Sequence, residues 1–175
     1  MTLAQHQPVA PERLRVYVVT LSDTREDHTD TSGASIREGL QEAGHEVAGS
    51  CILREEAHSL RADLDRLLER RGFEVLIVNG GTGIAPRDVA YDILSALYDR
   101  EIPGFGELFR SLSYAEIGSA AMLSRASAGV AHGKLLFSIP GSQGAVRLAM
   151  HKLILPELRH MVGELRRAAG AEHAP

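Results

Sequence analysis

The sequence predicts an α/β fold, and three observations carry that expectation. Three short apolar runs alternate with helical stretches, two more runs flank His132-Gly133, and a long helical region closes the chain. Alternation of this kind gives parallel pairing through right-handed crossovers, whereas a two-residue connection makes a hairpin. The expected arrangement is a three-layer α/β/α sandwich around a mostly parallel mixed sheet containing one antiparallel strand.

Each element follows from its residues. Positions 1–13 are polar and Pro-containing and read as a flexible N-terminal tail; positions 14–170 read as one domain. RVYVVTLS, from Arg15 to Ser22, is β-branched and nearly continuously apolar, as a strand covered on both faces must be. DTREDHTDTSG, Asp23 to Gly33, is polar and turn-forming. Thr31 or Ser32 is placed to cap the helix carried by Ile36, Leu40 and Ala43, and Gly44 to end it. HEVAGSCIL is a second strand. SLRADLDRLLERRG is an amphipathic helix with Leu60, Leu64, Leu67 and Leu68 on one stripe and Gly72 as its stop. EVLIVN is the third strand. EIPGFGELF reads as a Pro-Gly turn before a short helix, with Phe105 and Phe109 as core or subunit contacts. SAGVAHGKLLFSI supplies the hairpin, and IPGSQG leads into helix from about Ala145 to Ala169, broken near Pro156.

Composition excludes several classes. A chain of 175 residues buries roughly 70% of its unfolded surface and needs no staples. Hydrophobic residues at 44% and charged residues at 24% are ordinary for a globular protein, and a net charge of −4 gives no electrostatic reason to expect nucleic acid. The single cysteine, Cys51, excludes an internal disulfide and reads as a small core residue in a reducing compartment. The N-terminal stretch has no apolar signal region and no run is long enough to span a bilayer, so the cytoplasm is the expected location. The eight histidines form no zinc-binding spacing and no serine sits in a nucleophile elbow.

Ligands of open α/β sheets bind outside the carboxyl ends of the strands. Three segments meet that description: Thr20 to Asp23, Asn79 to Asp88 and Ile139 to Ser142. In VLIVNGGTGIAPRDVAYDIL, Gly80, Gly81 and Gly83 stand where a strand hands over to a helix. Such a loop either makes a tight turn or cradles a phosphate with successive amides at a helix N-terminus. It is neither a Walker A loop, since Ile84-Ala85-Pro86 follows Gly83, nor the dinucleotide fingerprint, since Pro86 stands where the third glycine belongs. Asp88 and Asp92, one helical turn apart, either offset the helix dipole or, with Mg²⁺ between them and a phosphate, build a phosphoryl- or nucleotidyl-transfer site. Ser124 and Arg125 offer a hydroxyl and a guanidinium to an anion, although an ion pair explains Arg125 equally well.

Six stretches occur in the order and approximate spacing of a known family: VYVVTLSD, DTSG, VNGGTGIAPRDVAYD, EIPGFGELFR, MLSRASAGV and FSIPGSQGAV. From roughly Arg15 to Leu158 the chain resembles the MoaB/MogA family of molybdenum cofactor biosynthesis proteins, nearest to the MoaB branch. GGTG followed by Arg87-Asp88 and then PGFGE is the most diagnostic part. The resemblance implies the MoaB/MogA-like fold and a single molybdopterin-binding domain. It also implies that molybdopterin and Mg²⁺-ATP are joined into adenylylated molybdopterin with release of pyrophosphate.

Residue by residue, the resemblance gives phosphate binding to Gly80, Gly81, Thr82 and Gly83, makes Asp88 the essential aspartate, and makes Asp92 its neighbouring acid. Ser22 and Asp23 match the family's Ser-Asp, Pro140-Gly141-Ser142 match its PGS or PGN loop, and Ser124 joins the binding residues. One position departs. Where adenylyltransferase members carry an aspartate after the second strand, ILREEAHSL places Glu55, with Glu56 beside it. Glu55 and Asp88 are the expected catalytic pair and Mg²⁺ ligands. A glutamate reaches one methylene further, and a shift of about 1 Å can cost roughly 100-fold in rate. The alternative is therefore a non-catalytic molybdopterin-binding or carrier protein. The family's trimers and hexamers imply a homotrimer or homohexamer here, without nucleic acid or membrane.

Overall fold

Apolar β-branched residues make β1 (Arg15–Leu21) a strand suited to the middle of a sheet, and every residue after Arg15 is buried. In the computed structural model, which describes residues 11–171, β1 pairs in parallel with β2 (Glu46–Leu53) on one side and β3 (Val75–Asn79) on the other. The tail expected over 1–13 falls mostly outside the described residues. β3 pairs in parallel with β6 (Lys134–Ile139), β5 (Ser127–Ala131) runs antiparallel to β6, and β4 (Arg100–Glu101) pairs antiparallel with β5. The order is β2-β1-β3-β6-β5-β4, so β5 alone runs against the other strands of this sheet. His132 at φ 52° and Gly133 at φ 70° close the β5–β6 hairpin. β4 has no counterpart among the strands read from the sequence; two exposed residues carry no periodicity.

The strand period of two sorts the core into two layers. Val16, Val18, Val75, Ile77 and Phe137 face α1 (Thr31–Glu42), α4 (Pro103–Ile117), α5 (Gln143–Ala149) and α6 (Leu155–Ala171). Tyr17, Val19, Leu76, Val78 and Leu136 face α2 (Ala57–Glu69) and α3 (Ala90–Ser95), meeting the Leu60, Leu64, Leu67 and Leu68 stripe. Each fully buried leucine or phenylalanine contributes about 1.5–3 kcal/mol by removal from water. Phe105 and Phe109 belong to the core, with Phe105 edge-on to Phe137 at a centroid distance of 5.2 Å.

Four details differ from the sequence reading. Asp30, not Thr31 or Ser32, caps α1 by accepting from the Gly33 N–H at 2.9 Å; it stands one residue before Thr31 and two before Ser32, so the helix begins that much earlier. Pro103 and Gly104 do not turn before a short helix but begin α4, because proline at the first helical position forfeits no intrahelical bond. The break near Pro156 takes the form of a π-helical turn, Met150–Ile154, between α5 and α6. Pro156 lacks the N–H that would bond the Lys152 carbonyl, and the wider turn gives its ring room. Cys51 is only half-buried, since β2 is an edge strand.

Candidate functional site

β1, β3 and β6 lie side by side, which brings their three carboxyl-end loops together. The Gly80 N–H donates to the Ile139 carbonyl at 2.8 Å, tying the second loop to the third. Gly80 has φ 114°, and a Cβ there would stand 2.9 Å from the Leu21 carbonyl oxygen of the first loop. A Cβ on Gly141 would lie 3.5 Å from Gly80 Cα. Gly80 is thus required by close backbone approach as well as by its conformation. Within the flanking loops the hydroxyls turn inward on the chain: Ser22 Oγ accepts from the Arg25 N–H at 3.0 Å, and Ser142 Oγ caps α5 by accepting from Ala145 at 3.3 Å.

Beneath the loops lies a buried polar cluster that sequence reasoning missed. Thr20 Oγ1 donates to Asp30 Oδ2 at 2.9 Å, and Asn79 Nδ2 donates to Ser32 Oγ at 2.8 Å. Arg25 and Arg37 approach the Asp30 carboxylate at 3.8 and 3.5 Å. Asp30, Ser32, Thr20 and Asn79 are all buried, so the cluster fixes the ends of β1 and β3 against the start of α1. The signal available was Asp30 three residues before Gly33, an N-cap pattern as strong as the serine's.

Glu55 and Asp88 both lie against the glycine loop. A Cβ on Gly81 would fall 2.0 Å from Glu55 Oε1, and one on Gly83 would fall 2.5 Å from Asp88 Oδ2. Asp88 precedes the α3 N-cap, Val89, and its carboxylate does not cap the helix; it accepts from the Ala85 N–H at 2.8 Å. Asp23 Oδ1 accepts from the Glu55 N–H at 3.3 Å. Burial, then the charges of Asp88 and Asp23, push the Glu55 carboxyl above its ordinary value, against the pull of the Val89 amide and Arg87. Glu55 Oε1 is buried without a hydrogen-bond partner. Glu56 is committed elsewhere: it caps α2 by accepting from His58 and Ser59, and the Ser59 hydroxyl with those two amides lowers its carboxyl to about 2.

Asp88 and Asp92 meet the same guanidinium, that of Arg125. Nη1 of Arg125 donates to both Asp92 oxygens at 3.0 Å. The same guanidinium donates through Nε to the Gly83 carbonyl at 2.8 Å and through Nη2 to the Asp88 carbonyl, and it lies over the Tyr91 ring at 5.1 Å. The Arg125 N–H donates to the Thr82 carbonyl at 2.8 Å, and Thr82 is buried. Ser124 accepts from the Ala126 N–H at 3.3 Å. A polar cavity of about 650 Å³ opens beside the first loop, lined by Ser22, Asp23, Arg25 and the end of β2.

With this geometry in place, comparisons with known proteins are specific. A family model described as "Probable molybdopterin binding domain" matches residues 17–160. The chain belongs to that family. A molybdenum cofactor biosynthesis protein B of Bacillus cereus is 50% identical over 168 residues, spanning 95% of this chain and 99% of the relative. The corresponding protein of Bacillus subtilis is 48% identical over the same length. Among solved structures, a molybdenum cofactor biosynthesis protein B superposes with a TM-score of 0.86 at 52% identity, covering 90% of this chain and 99% of the other. A tungsten cofactor synthesizing protein MoaB from Pyrococcus furiosus superposes with a TM-score of 0.80 at 33% identity, covering 90% and 99%. The fold is that of the MoaB and MogA proteins.

Among the described residues, no group of three or more His, Cys, Asp and Glu side chains is arranged to hold a metal ion. The two carboxylates of Glu55 and Asp88 are a donor set that would fit Mg²⁺, which keeps waters and phosphate oxygens in its shell, and the buried, unpartnered Glu55 Oε1 would be free to serve as one ligand. No helix among the described residues is long and apolar enough to cross a membrane.

Proposed function

We propose that the protein serves molybdenum cofactor biosynthesis by binding molybdopterin and joining it to AMP from Mg²⁺-ATP. The observation that carries this reading is the convergence of Glu55 and Asp88 on Gly81 and Gly83, with Glu55 Oε1 buried and unpartnered. Two carboxylates beside a loop of amides repel a phosphate unless a cation lies between them, which is the charge arrangement nucleotidyl transfer requires. In the reaction, the terminal phosphate oxygen of molybdopterin attacks the α-phosphorus of ATP. One P–O bond forms, the bond to the β-phosphate bridging oxygen breaks, and pyrophosphate leaves. No covalent protein nucleophile is needed, so the chain's work is alignment and charge neutralisation.

On this reading the amides of Gly81, Thr82 and Gly83 hold phosphoryl oxygens. Ser22 and Asp23 of the first loop and Pro140 to Ser142 of the third would shape the pterin and nucleotide ends. Glu55 and Asp88 hold Mg²⁺, which supplies charge neutralisation at the phosphates. Mixing the protein with molybdopterin, ATP and Mg²⁺ yields adenylylated molybdopterin and pyrophosphate, and Asp88→Ala abolishes both; no product with any divalent metal rejects the reaction.

A second reading has its own support. The Glu55 carboxylate lies directly against Gly81, where the family's shorter aspartate would leave more room. A non-catalytic molybdopterin-binding or carrier protein would then bind molybdopterin without turnover, and Glu55→Asp would introduce activity absent from the parent. Self-association as a homotrimer or homohexamer is part of the proposal in either case. Leu108, Tyr114, Ile117, Met122 and Leu123 are large apolar side chains left exposed along α4 and the turn after it. Light scattering at micromolar concentration reads the mass directly.

A further inference from the structure

Arg125 reaches the glycine loop through carbonyl oxygens, and this has a geometric consequence. A peptide unit is planar, with its N–H directed opposite to its C=O, so fixing a carbonyl aims the next amide the other way. Arg125 fixes three of them: Thr82 through its own N–H, Gly83 through Nε and Asp88 through Nη2. The amides set by those carbonyls belong to Gly83, Ile84 and Val89.

Within the loop the Ala85 N–H donates to the Asp88 carboxylate and the Asp88 N–H to the Ala85 carbonyl, but the Thr82, Gly83 and Asp88 carbonyls take their bonds from Arg125. α3 is six residues long, and the loop before it contains Pro86 and the exposed residues Ile84, Ala85 and Arg87. Arg125 arrives from the segment before β5, across the domain in sequence, with its side chain only 27% exposed. Asp92 is 65% exposed at the side chain and holds Nη1 with both oxygens, while the Tyr91 ring supports the guanidinium plane.

We propose that Arg125 is the positioning residue of this site: by fixing the peptides that carry the Gly83, Ile84 and Val89 amides it holds the glycine loop, the Gly83 amide included, in the shape that receives the phosphoryl group, and Asp92 acts by holding Arg125 rather than by touching the ligand. The proposal rests on the adenylylation reading for its ligand. A planar guanidinium serves several acceptors at fixed angles, which a lysine ammonium, a point charge on a flexible stem, does not.

The test combines turnover with amide hydrogen exchange in the free protein. Arg125→Ala lowers kcat/KM for adenylylation about 100-fold, as a loop displaced by about 1 Å does. Its amides at 80–89 exchange at least tenfold faster, while those of β3 keep their protection. Arg125→Lys behaves like Arg125→Ala in both measurements. Asp92→Ala gives a smaller loss, and the double variant is no worse than Arg125→Ala alone, since both act through one group. If the wild-type protein forms no product, the adenylylation reading falls, and exchange at 80–89 still decides the positioning claim. Should Arg125→Ala not fold, Asp92→Asn, an exposed change, carries the same exchange comparison. Unchanged exchange at 80–89, multiplicative losses from the two positions, or restoration by lysine overturns the proposal.

Discussion

Glu55 lies across Gly81 so closely that a Cβ on the glycine would stand 2.0 Å from Oε1. Gly81 also has φ 66°, in the left-handed region. Gly81→Ala therefore carries a backbone cost of about 1–2 kcal/mol and in addition displaces the Glu55 carboxylate. Gly133 is the control, at φ 70° with open space around its Cβ position, where only the backbone cost applies. Thermal melts are expected to drop for both variants, roughly 2–4 °C per kcal/mol, and further for Gly81→Ala. Equal drops would contradict the close contact.

Glu55→Gln separates the residue's charge from its packing. Burial and the Asp88 charge raise the folded-state value above the ordinary 4.5, so the wild-type contribution is fully present below about 4.5 and is lost as pH rises through the raised value. The glutamine variant is thus expected to match the wild type near pH 4 and to melt slightly higher at pH 7. A lower melt at pH 7 would show that the charge is satisfied by a partner. In turnover the same variant loses Mg²⁺-dependent activity.

Asp30 tests the buried cluster beneath the loops. Asp30→Ala removes the α1 cap and leaves the Gly33 amide and Thr20 hydroxyl without their partner. The expected cost is about 2–3 kcal/mol, read as a fall in denaturant midpoint without a change in slope. Asp30→Asn keeps an acceptor for Gly33 and is expected to lose less. An equal loss in the two variants would show that the charge facing Arg25 and Arg37, which both remove, outweighs the cap.

His45 supplies a pH dependence remote from the site. It is 5% exposed, its Nδ1 accepts from the Leu14 N–H at 3.4 Å, and burial with the nearby Arg159 charge lowers its value from 6.5. A lowered value means the unfolded chain binds the proton more tightly, so stability is full above about 6.5 and falls as pH drops through the folded value. Between about pH 7.5 and 5.5 the wild type is expected to lose more melting temperature than His45→Asn, whose amide oxygen can take the Leu14 bond. Parallel curves would contradict this assignment.

What the sequence disclosed, and what it withheld, follows from the range of each interaction. β1 and β3 were legible because two-sided burial demands an unbroken apolar run, and the hairpin because His132-Gly133 leaves room for nothing longer. The three loops were legible once the strands were ordered. The Asp92–Arg125 pair was not, because 33 residues separate the partners and no local spacing joins them. Asp30 was overlooked in favour of its hydroxyl neighbours, because whether a carboxylate or a hydroxyl caps a helix depends on a difference of one residue in where the turn begins. β4 is held by pairing with β5 and has no pattern of its own.

The account depends on the Gly81 to Gly83 amides receiving a phosphoryl group between Glu55 and Asp88. A crystal structure of the protein soaked with adenylylated molybdopterin and Mg²⁺ tests this most directly. The expected result is phosphate density within hydrogen-bonding distance of those amides and a cation between it and the two carboxylates. Phosphate density elsewhere, with Glu55 still seated on Gly81, would contradict it.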